Sequence, residues 1–221
     1  MNSLKQIILE NKSLRWLLLF TNWVYQGIPQ ADFSEKIYKI SFTVIVALLI
    51  ILSVNFSWLN LFLAIIIGHT VNWLLNCNIS VILIHRMKYL KTNKEALFNH
   101  LFSIKKNLEE KKWFDFSVSS GGIIRGSMNK YSDIDVNVVR KSGFLNALKA
   151  ICFAVFERKR ADFKGIPLDV IISDSPKDCQ EKTDFTDTIV VLVDKKKLVP
   201  SYFNNQINLS EAKELNNKNN K

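Results

Sequence analysis

Three aspartates in the second half of the chain occupy positions where acidic side chains could bind a metal ion. Asp133 and Asp135 are two residues apart at the start of a predicted strand that runs through Val139, so both side chains should project from the same face. Two such carboxylates repel each other unless a cation lies between them, and their oxygens suit Mg²⁺ or Mn²⁺. Asp169 is the lone acid of a second apolar strand, 166–172, where an unpaired buried carboxylate would be unfavourable. The pattern therefore predicts one shared metal site.

A glycine pair precedes the first two aspartates. Gly121 and Gly122 follow the apolar, aromatic-rich segment 113–119, which has the composition of a strand. Glycines at such a turn let backbone N–H groups approach a phosphate without an intervening side chain. Arg125, in the loop that follows, has a guanidinium that suits phosphate oxygens, but a solvated loop arginine is an equally good explanation.

Taken together, these features resemble the DNA polymerase β-type nucleotidyltransferase superfamily, and most closely its minimal single-domain members. The resemblance covers residues 113–173 and consists of a glycine pair, an Arg-Gly pair, a Ser-Asp-x-Asp segment and a later apolar strand with one aspartate. It implies an α+β nucleotidyltransferase fold, a small mixed sheet with flanking helices. One departure is Gly122, which stands where the family often has serine.

The resemblance also implies specific roles for the residues that match. Asp133 and Asp135 would bind two divalent ions, and Asp169 would complete the site and help to activate an acceptor hydroxyl. Four further residues would bind the nucleotide: Gly121, Gly122, Arg125 and Ser132. The implied reaction transfers a nucleoside monophosphate from a nucleoside triphosphate, with ATP the favoured substrate and Mg²⁺ or Mn²⁺ as cofactor, to an acceptor hydroxyl.

The first half of the chain has a membrane-protein pattern. No Asp, Glu, Lys or Arg occurs from Ile40 to Ile84. The runs 37–54 and 58–84 are both long enough to span a bilayer, which takes roughly 20 mainly apolar residues, although the second run is long and contains polar residues. We therefore expect a two-helix transmembrane hairpin. Basic residues flank both outer ends, which predicts cytoplasmic termini and a cytoplasmic catalytic domain at the inner membrane. The shorter 14–24 stretch suits an interfacial helix, although a re-entrant segment is an alternative.

Polar residues within the second apolar run form one helical face: His69, Asn72, Trp73 and Asn76. Such a face should meet protein or lipid headgroups rather than acyl chains. Hydrogen bonding within the hairpin or in a homo-oligomer is one explanation, and a groove for a polar lipid-linked acceptor is another. Farther along, an apolar stripe predicts a core-facing helix; it comprises Phe144, Leu145, Leu148, Ile151, Cys152, Val155 and Phe156.

These patterns divide the chain into five predicted parts. They are an interfacial amphipathic segment (1–36), the transmembrane hairpin (37–84), a connecting helix (85–112), the nucleotidyltransferase domain (113–199) and a disordered polar tail (200–221). The net charge of +10 fits positively flanked membrane segments. The three cysteines have no disulfide or zinc spacing.

Three functions are consistent with this organisation. The first is a membrane-anchored nucleotidyltransferase whose acceptor belongs to envelope or surface-glycan metabolism, such as a lipid-linked glycan precursor. The second is an antitoxin-type enzyme that adenylylates a partner protein. The third is a non-catalytic nucleotide-sensing membrane protein. A nucleic-acid polymerase is disfavoured, because the chain lacks the length for further domains and has no basic strip interleaved with aromatic residues.

Overall fold

The computed structural model describes residues 11, 14–183 and 188–218, and its N-terminal part is helical. The elements are α1 (Trp16–Tyr25), α2 (Phe33–Leu52), α3 (Trp58–Asn76) and a short π-helix (Val81–Arg86). Asp32 caps α2 by accepting a hydrogen bond from the Glu35 amide, and Ser57 caps α3 by accepting one from the Asn60 amide. Residues 1–10, 12 and 13 of the predicted interfacial segment lie outside the described residues.

Helices α2 and α3 pack against each other in antiparallel directions. A Cβ atom on Gly68 would lie 2.7 Å from the Thr43 carbonyl oxygen and 3.2 Å from the Ala47 amide nitrogen, so the close crossing requires glycine. Four residues farther along α3, Asn72 donates hydrogen bonds to the Lys39 carbonyl (2.8 Å) and the Thr43 hydroxyl (2.9 Å). The two helices therefore form a tightly packed pair.

Among the described helices, only α3 is long and apolar enough to cross a membrane. Its mean hydropathy is 1.6, and most of its surface is not buried in the protein. The first turns of α2 carry Glu35, Lys36 and Lys39, and Lys39 is only 3% exposed, in contact with protein groups. The predicted first span, from residue 37, thus begins in a segment that packs on protein.

The polar face of α3 hydrogen-bonds to the neighbouring helices. His69 Nε2 donates to the Trp23 carbonyl oxygen (2.9 Å) and Trp73 Nε1 donates to Asn22 Oδ1 (2.8 Å), both on α1. Together with the bonds from Asn72 to α2, these contacts pair the side chains of His69, Asn72 and Trp73 within one chain. Of the two explanations for this face, the packing of helices accounts for the observed contacts.

The second half of the chain contains a mixed sheet with helices against it. Within the described residues, five strands occur in the order β3-β2-β1-β4-β5. Their bounds are β1 Phe114–Ser120, β2 Ile134–Arg140, β3 Leu168–Ser173, β4 Ile189–Asp194 and β5 Gln206–Asn208. Strand β1 is antiparallel to β2 and β4, whereas β2–β3 and β4–β5 are parallel. The predicted α+β class with a small mixed sheet is confirmed.

The remaining helices cover the sheet. They are α4 (Lys94–Glu109), α5 (Phe144–Asp162), α6 (Pro176–Lys182), α7 (Val199–Tyr202) and α8 (Leu209–Lys218). Helix α4, within the predicted connecting helix 85–112, contributes fully buried side chains to the main core: Leu97, Phe98, Leu101, Ile104 and Leu108. It is therefore part of the globular domain rather than only a link to it.

The prediction of a disordered tail over 200–221 was wrong for the described residues up to Lys218. This segment forms β5 and α8, and α8 buries Leu209, Ala212 and Asn216 along one face. Three buried residues in eight positions are enough to pack a short helix on the sheet, but polar neighbours hide that pattern. Residues 219–221 lie outside the described part.

The prediction that the large apolar residues of α5 face the core was wrong for most of them. Phe144 is 80% exposed, Leu145 66% and Phe156 62%, and Leu148 and Cys152 are also exposed. Small residues instead form most of the buried face, together with Ile151 and Phe153: Ala147, Ala150, Ala154 and Ala161. The apolar periodicity correctly predicted a helix. The face that packs on β3 is the alanine-rich one, because alanines allow closer packing than the larger side chains would.

Buried charges join helices α2 and α3 to the sheet. Arg158 of α5 donates to Glu35 of α2 (2.7 Å), to the Asn76 carbonyl at the end of α3 (3.3 Å) and to the Val170 carbonyl in β3. Lys39 lies 3.0 Å from the same Glu35 carboxylate. The α2–α3 pair and the strand that carries Asp169 are therefore joined by one ionic cluster, which we call the Glu35 cluster (Glu35, Lys39 and Arg158).

Candidate functional site

The three aspartates line one cavity at an edge of the sheet. Asp135 in β2 and Asp169 in β3 are direct partners in the parallel register, so their side chains lie on the same face. Asp133 immediately precedes β2, and all three line a cavity of about 220 Å³. Ile134, Val136 and Val138, which alternate with the acids, are buried in the core. The strands thus bring together the residues that the sequence separates.

The carboxylates are not already arranged around one ion. Within residues 11, 14–183 and 188–218, no three His, Cys, Asp or Glu side chains lie close enough together to hold a metal. Asp135 and Asp169 face each other across a strand pair, while Asp133 Oδ1 lies 3.3 Å from His85 Nδ1. The donor set suits a hard cation, but binding one would require the side chains to move.

Burial and the charges of neighbouring acids oppose the ionisation of Asp135 and Asp169. Burial, followed by the charges of Asp133 and Asp169, raises the pKa of Asp135 to about 8, and Arg86 acts in the opposite direction. The pKa of Asp169 is also raised, mainly by burial, although Arg158 counteracts this effect. A cation would relieve the repulsion, so the electrostatics favour binding of positive charge.

A sharp turn places glycine backbone beside the acids. Strand β1 ends at Ser120, and residues Gly121–Ile123 form a 3₁₀ turn in which Gly121 has φ +85°. A Cβ atom at Gly121 would lie 3.7 Å from Asp135 Oδ2. L-residues rarely adopt this φ, so glycine is required to bring the chain past the carboxylate.

A wide, basic cavity of about 840 Å³ opens on the other side of this turn. It is large enough for a nucleotide-sized ligand. The following residues line it: His85, Lys88, Gly121, Gly122, Arg125, Ser127, Asn129, Lys130, Tyr131, Ser132, Asp133 and Asp135. The ammonium groups of Lys88 and Lys130 lie 5.9 and 5.4 Å from the centre of the Tyr131 ring. The cavity therefore combines positive charge, a glycine turn and two of the three acids.

The residues predicted to contact the nucleotide have different surroundings in the structure. Arg125 is exposed at the cavity wall. The Ser132 hydroxyl accepts a hydrogen bond from the Asn129 amide (2.9 Å) and so shapes the loop. Gly122 packs beside Ser127, whose hydroxyl would lie 3.8 Å from a Cβ atom at that position. The Ser127 hydroxyl therefore lies beside the glycine turn.

Several residues of the site were not found from the sequence. His85 and Arg86 end the π-helix, which makes them look like flanking residues of a membrane segment, yet both line cavities that contain the aspartates. Asn216 lies in the segment predicted to be disordered. It is completely buried and donates to the Ile123 carbonyl (2.6 Å), while its Oδ1 accepts from the Met128 amide (3.2 Å). No local motif marks these positions.

Replacing Asn216 with alanine should loosen the glycine turn. The substitution would leave the buried amide of Met128 and the carbonyl of Ile123 without these partners, at a cost of about 1–3 kcal/mol in the free energy of unfolding. Chemical denaturation in detergent micelles would measure this loss. The neighbouring Asn217→Ala variant is the control, because residue 217 is exposed. Equal stability of the two variants would contradict a structural role for α8 in the site.

Comparisons with known proteins give no family to which the chain can be assigned. No protein-family model, no curated protein and no solved structure matches it.

Proposed function

We propose that this protein is a membrane-attached nucleotidyltransferase that transfers a nucleoside monophosphate to an acceptor hydroxyl. The observation that carries the proposal is the position of Asp133 and Asp135, which line both the wide basic cavity and the smaller cavity that contains Asp169. A triphosphate in the wide cavity and an acceptor beside Asp169 would then meet at these two carboxylates. The sequence resemblance to the polymerase β-type superfamily supports the same activity.

The wide cavity suits the triphosphate moiety. Backbone amides at the Gly121–Gly122 turn can approach phosphate oxygens, and Lys88, Arg125 and Lys130 contribute positive charge. The face of the Tyr131 ring, already close to two ammonium groups, offers a surface for stacking. Because the nucleotide would be bound mainly by charged side chains and backbone amides, we expect its affinity to fall strongly as the salt concentration rises.

The transfer step balances without a covalent enzyme intermediate. The acceptor oxygen forms a bond to the α-phosphorus, the bond from that phosphorus to the bridging oxygen of the β-phosphate breaks, and pyrophosphate leaves. Asp169 accepts the proton of the acceptor hydroxyl, because it lies on the side of the acids that is away from the wide cavity's lining. Asp133 and Asp135 keep the two reactants in line.

Mg²⁺ or Mn²⁺ is the expected cofactor, held by Asp133, Asp135 and Asp169. When bound, a divalent ion neutralises the negative charge that develops on the phosphate oxygens during transfer. Burial, followed by the charges of Asp133 and Asp169, raises the pKa of Asp135, and a cation would offset both effects, which supports this assignment. His85 Nδ1, at 3.3 Å from Asp133 Oδ1, orients that carboxylate.

Membrane attachment is the second part of the proposal. Helix α3 crosses the bilayer, and the apolar part of α2 that follows Lys39 accompanies it, so that both ends of the pair return to the cytoplasmic side. Exposed large side chains on both helices support this arrangement, for example Leu49 (61%), Leu52 (80%) and Phe62 (61%). The catalytic domain would then act at the inner surface of the cytoplasmic membrane, on an acceptor concentrated there.

A transfer assay in native membranes tests the proposed activity. Membranes that contain the wild-type chain, incubated with α-labelled nucleoside triphosphates and Mg²⁺ or Mn²⁺, should incorporate label, with ATP the favoured donor. Asp133→Ala should lower incorporation by about 10²–10³-fold, the scale of losing one group that stabilises transition-state charge. Lys177→Ala, on the exposed surface of α6, is the control.

The destination of the label separates the alternatives. Label in the lipid extract supports a lipid-linked acceptor, such as a glycan precursor, whereas label on a protein would indicate a protein adenylyltransferase. If no triphosphate gave incorporation above the Asp133→Ala background, a non-catalytic nucleotide sensor would replace the proposal.

A further inference from the structure

A second opening leads to the aspartates from beneath helix α1. A cavity of about 220 Å³ has Leu18, Asn22 and Tyr25 of α1 on one wall, and Gln30 and Arg86 on the other. Gln30 and Arg86 also line the cavity that contains the three aspartates. Because the two cavities share these residues, they adjoin, and a ligand under α1 could reach the carboxylates.

The aspartates divide between the two approaches. Asp133 and Asp135 line the wide basic cavity, but Asp169 does not. Asp169 instead lines the cavity that adjoins α1, and it also lines a polar cavity of about 70 Å³ that contains Gln30 and Arg86. The approach under α1 therefore ends at the carboxylate that would accept a proton from an acceptor.

Arg86 gives this approach its charge. It is the sole charged residue among those described that line the cavity under α1. Arg86 is exposed, and its positive charge also acts on Asp135 and Asp169 in the adjoining cavity. A guanidinium beside polar amides can bind a phosphate through two parallel hydrogen bonds. Asn22 and Gln30 provide uncharged groups that suit hydroxyls.

The outer side of α1 is apolar. Trp16 is 56% exposed, Leu17 47%, Phe20 59% and Val24 40%, and these positions form one face of the helix. The same helix hydrogen-bonds to α3, the candidate span, through Trp23 and Asn22. A helix with this apolar face beside a membrane span suits the bilayer interface. The cavity beneath α1 would therefore open at lipid-headgroup level.

We infer that this cavity binds the phosphate-bearing headgroup of a membrane amphiphile, with Arg86 on the phosphate, and presents its hydroxyl to Asp169. The hydrocarbon part extends past α1 into the bilayer, which the apolar outer face of α1 also contacts. This inference deepens the proposed function and rests on it for the transfer step, in which the headgroup oxygen bonds to the α-phosphorus, pyrophosphate leaves and the proton passes to Asp169. Binding of the amphiphile does not itself depend on transfer.

Native mass spectrometry of the full chain, released from a neutral detergent, tests the binding directly. Phosphatidylglycerol carries a phosphate, hydroxyls and acyl chains, whereas phosphatidylcholine has no hydroxyl and no net charge. We expect the wild type to retain phosphatidylglycerol about tenfold more than phosphatidylcholine, and Arg86→Gln to remove that preference, because a hydrogen bond to a charged group contributes about this factor. Lys91→Gln makes the same charge change at an exposed residue outside these cavities and should retain the preference.

Three results would overturn the inference. They are equal retention of the two lipids, an Arg86→Gln variant that behaves like Lys91→Gln, and binding of free glycerol 1-phosphate as strong as that of phosphatidylglycerol. ATP binding, measured in the same spectra, reports separately on the wide cavity, which Arg86 does not line. Lipid selectivity without ATP binding would thus reject the proposed function and support the lipid site, and the reverse result would reject the lipid site alone.

Discussion

Replacing Asp135 with asparagine should abolish nucleotidyl transfer and, in the absence of divalent ions, make the protein more stable. Asparagine keeps the shape of the side chain but removes the charge that would hold a cation between the nucleotide and the acceptor. We expect transfer to fall by about 10²–10³-fold or more, as for other losses of a group that stabilises transition-state charge. Label incorporation from an α-labelled triphosphate measures this loss.

The gain in stability follows from the pKa of the same residue. Folding raises the pKa of Asp135 from 3.8 to about 8, because of burial and then of the neighbouring acids. The folded state thus binds the proton more tightly than the unfolded state, and the free energy of unfolding falls as pH rises between these two values. Asp135→Asn removes that fall. A tenfold difference in proton affinity corresponds to about 1.4 kcal/mol, so the variant should gain at least about 1 kcal/mol at pH 8.

Denaturation curves at pH 5 and pH 8, with and without Mg²⁺, provide the measurement. Mg²⁺ should stabilise the wild type at pH 8 and leave Asp135→Asn unchanged. Asp115→Asn is the control, since this aspartate lies in β1 and pairs with Lys196 at 2.8 Å, away from the three acids. A wild type whose stability did not decrease over this pH range would contradict the proposed repulsion.

Replacing Arg158 with methionine should have the largest effect on folding. The substitution removes one partner of a buried ion pair, in which the side chains of Arg158 and Glu35 are 9% and 2% exposed. It also leaves the carbonyls of Asn76 and Val170 without their donor. Breaking such a pair costs about 3–5 kcal/mol in the free energy of unfolding. Because Val170 follows Asp169, nucleotidyl transfer should decrease as well.

Guanidinium unfolding in detergent micelles, followed by tryptophan fluorescence, measures this cost. Lys159→Met is the matched control, since Lys159 pairs with Asp162 nearer the surface and should contribute about 1 kcal/mol or less. The double variant Glu35→Leu/Arg158→Met should lose less stability than the sum of its single changes, because each single change already breaks the same Glu35–Arg158 ion pair. If Arg158→Met proved as stable as Lys159→Met, the Glu35 cluster would not join the helices to the domain.

Local patterns in the sequence predicted the strands that carry the acids. Alternating apolar residues around Asp133 and Asp135 indicated β2, and a lone acid within 166–172 indicated β3. Because both are strands of the same sheet, the parallel register aligns Asp135 with Asp169. The three acids could therefore be identified from the sequence. The sequence pattern could not show how far apart their carboxylates lie, and in the structure they are not close enough together to hold a metal ion as they stand.

Contacts between distant parts of the chain could not be predicted in the same way. The Glu35 cluster joins residues of α2 and α5 that are far apart in sequence, and a charge in a membrane-like segment gives no sign of its partner. The role of Asn216 could not be predicted, because a single buried asparagine does not stand out in a segment that is rich in Asn and Lys. From the sequence, Arg86 is a basic residue that flanks an apolar run, whereas in the structure it lines two adjoining cavities.

The fate of the α- and γ-phosphates of one triphosphate tests the central claim most directly. Purified full-length protein in vesicles that contain phosphatidylglycerol would be given ATP labelled at either the α- or the γ-phosphate, with Mg²⁺ or Mn²⁺. Nucleotidyl transfer predicts that the α label becomes covalently attached to an acceptor while the γ label is released as pyrophosphate. Attachment of the γ label, or release of inorganic phosphate with no attached α label, would contradict it.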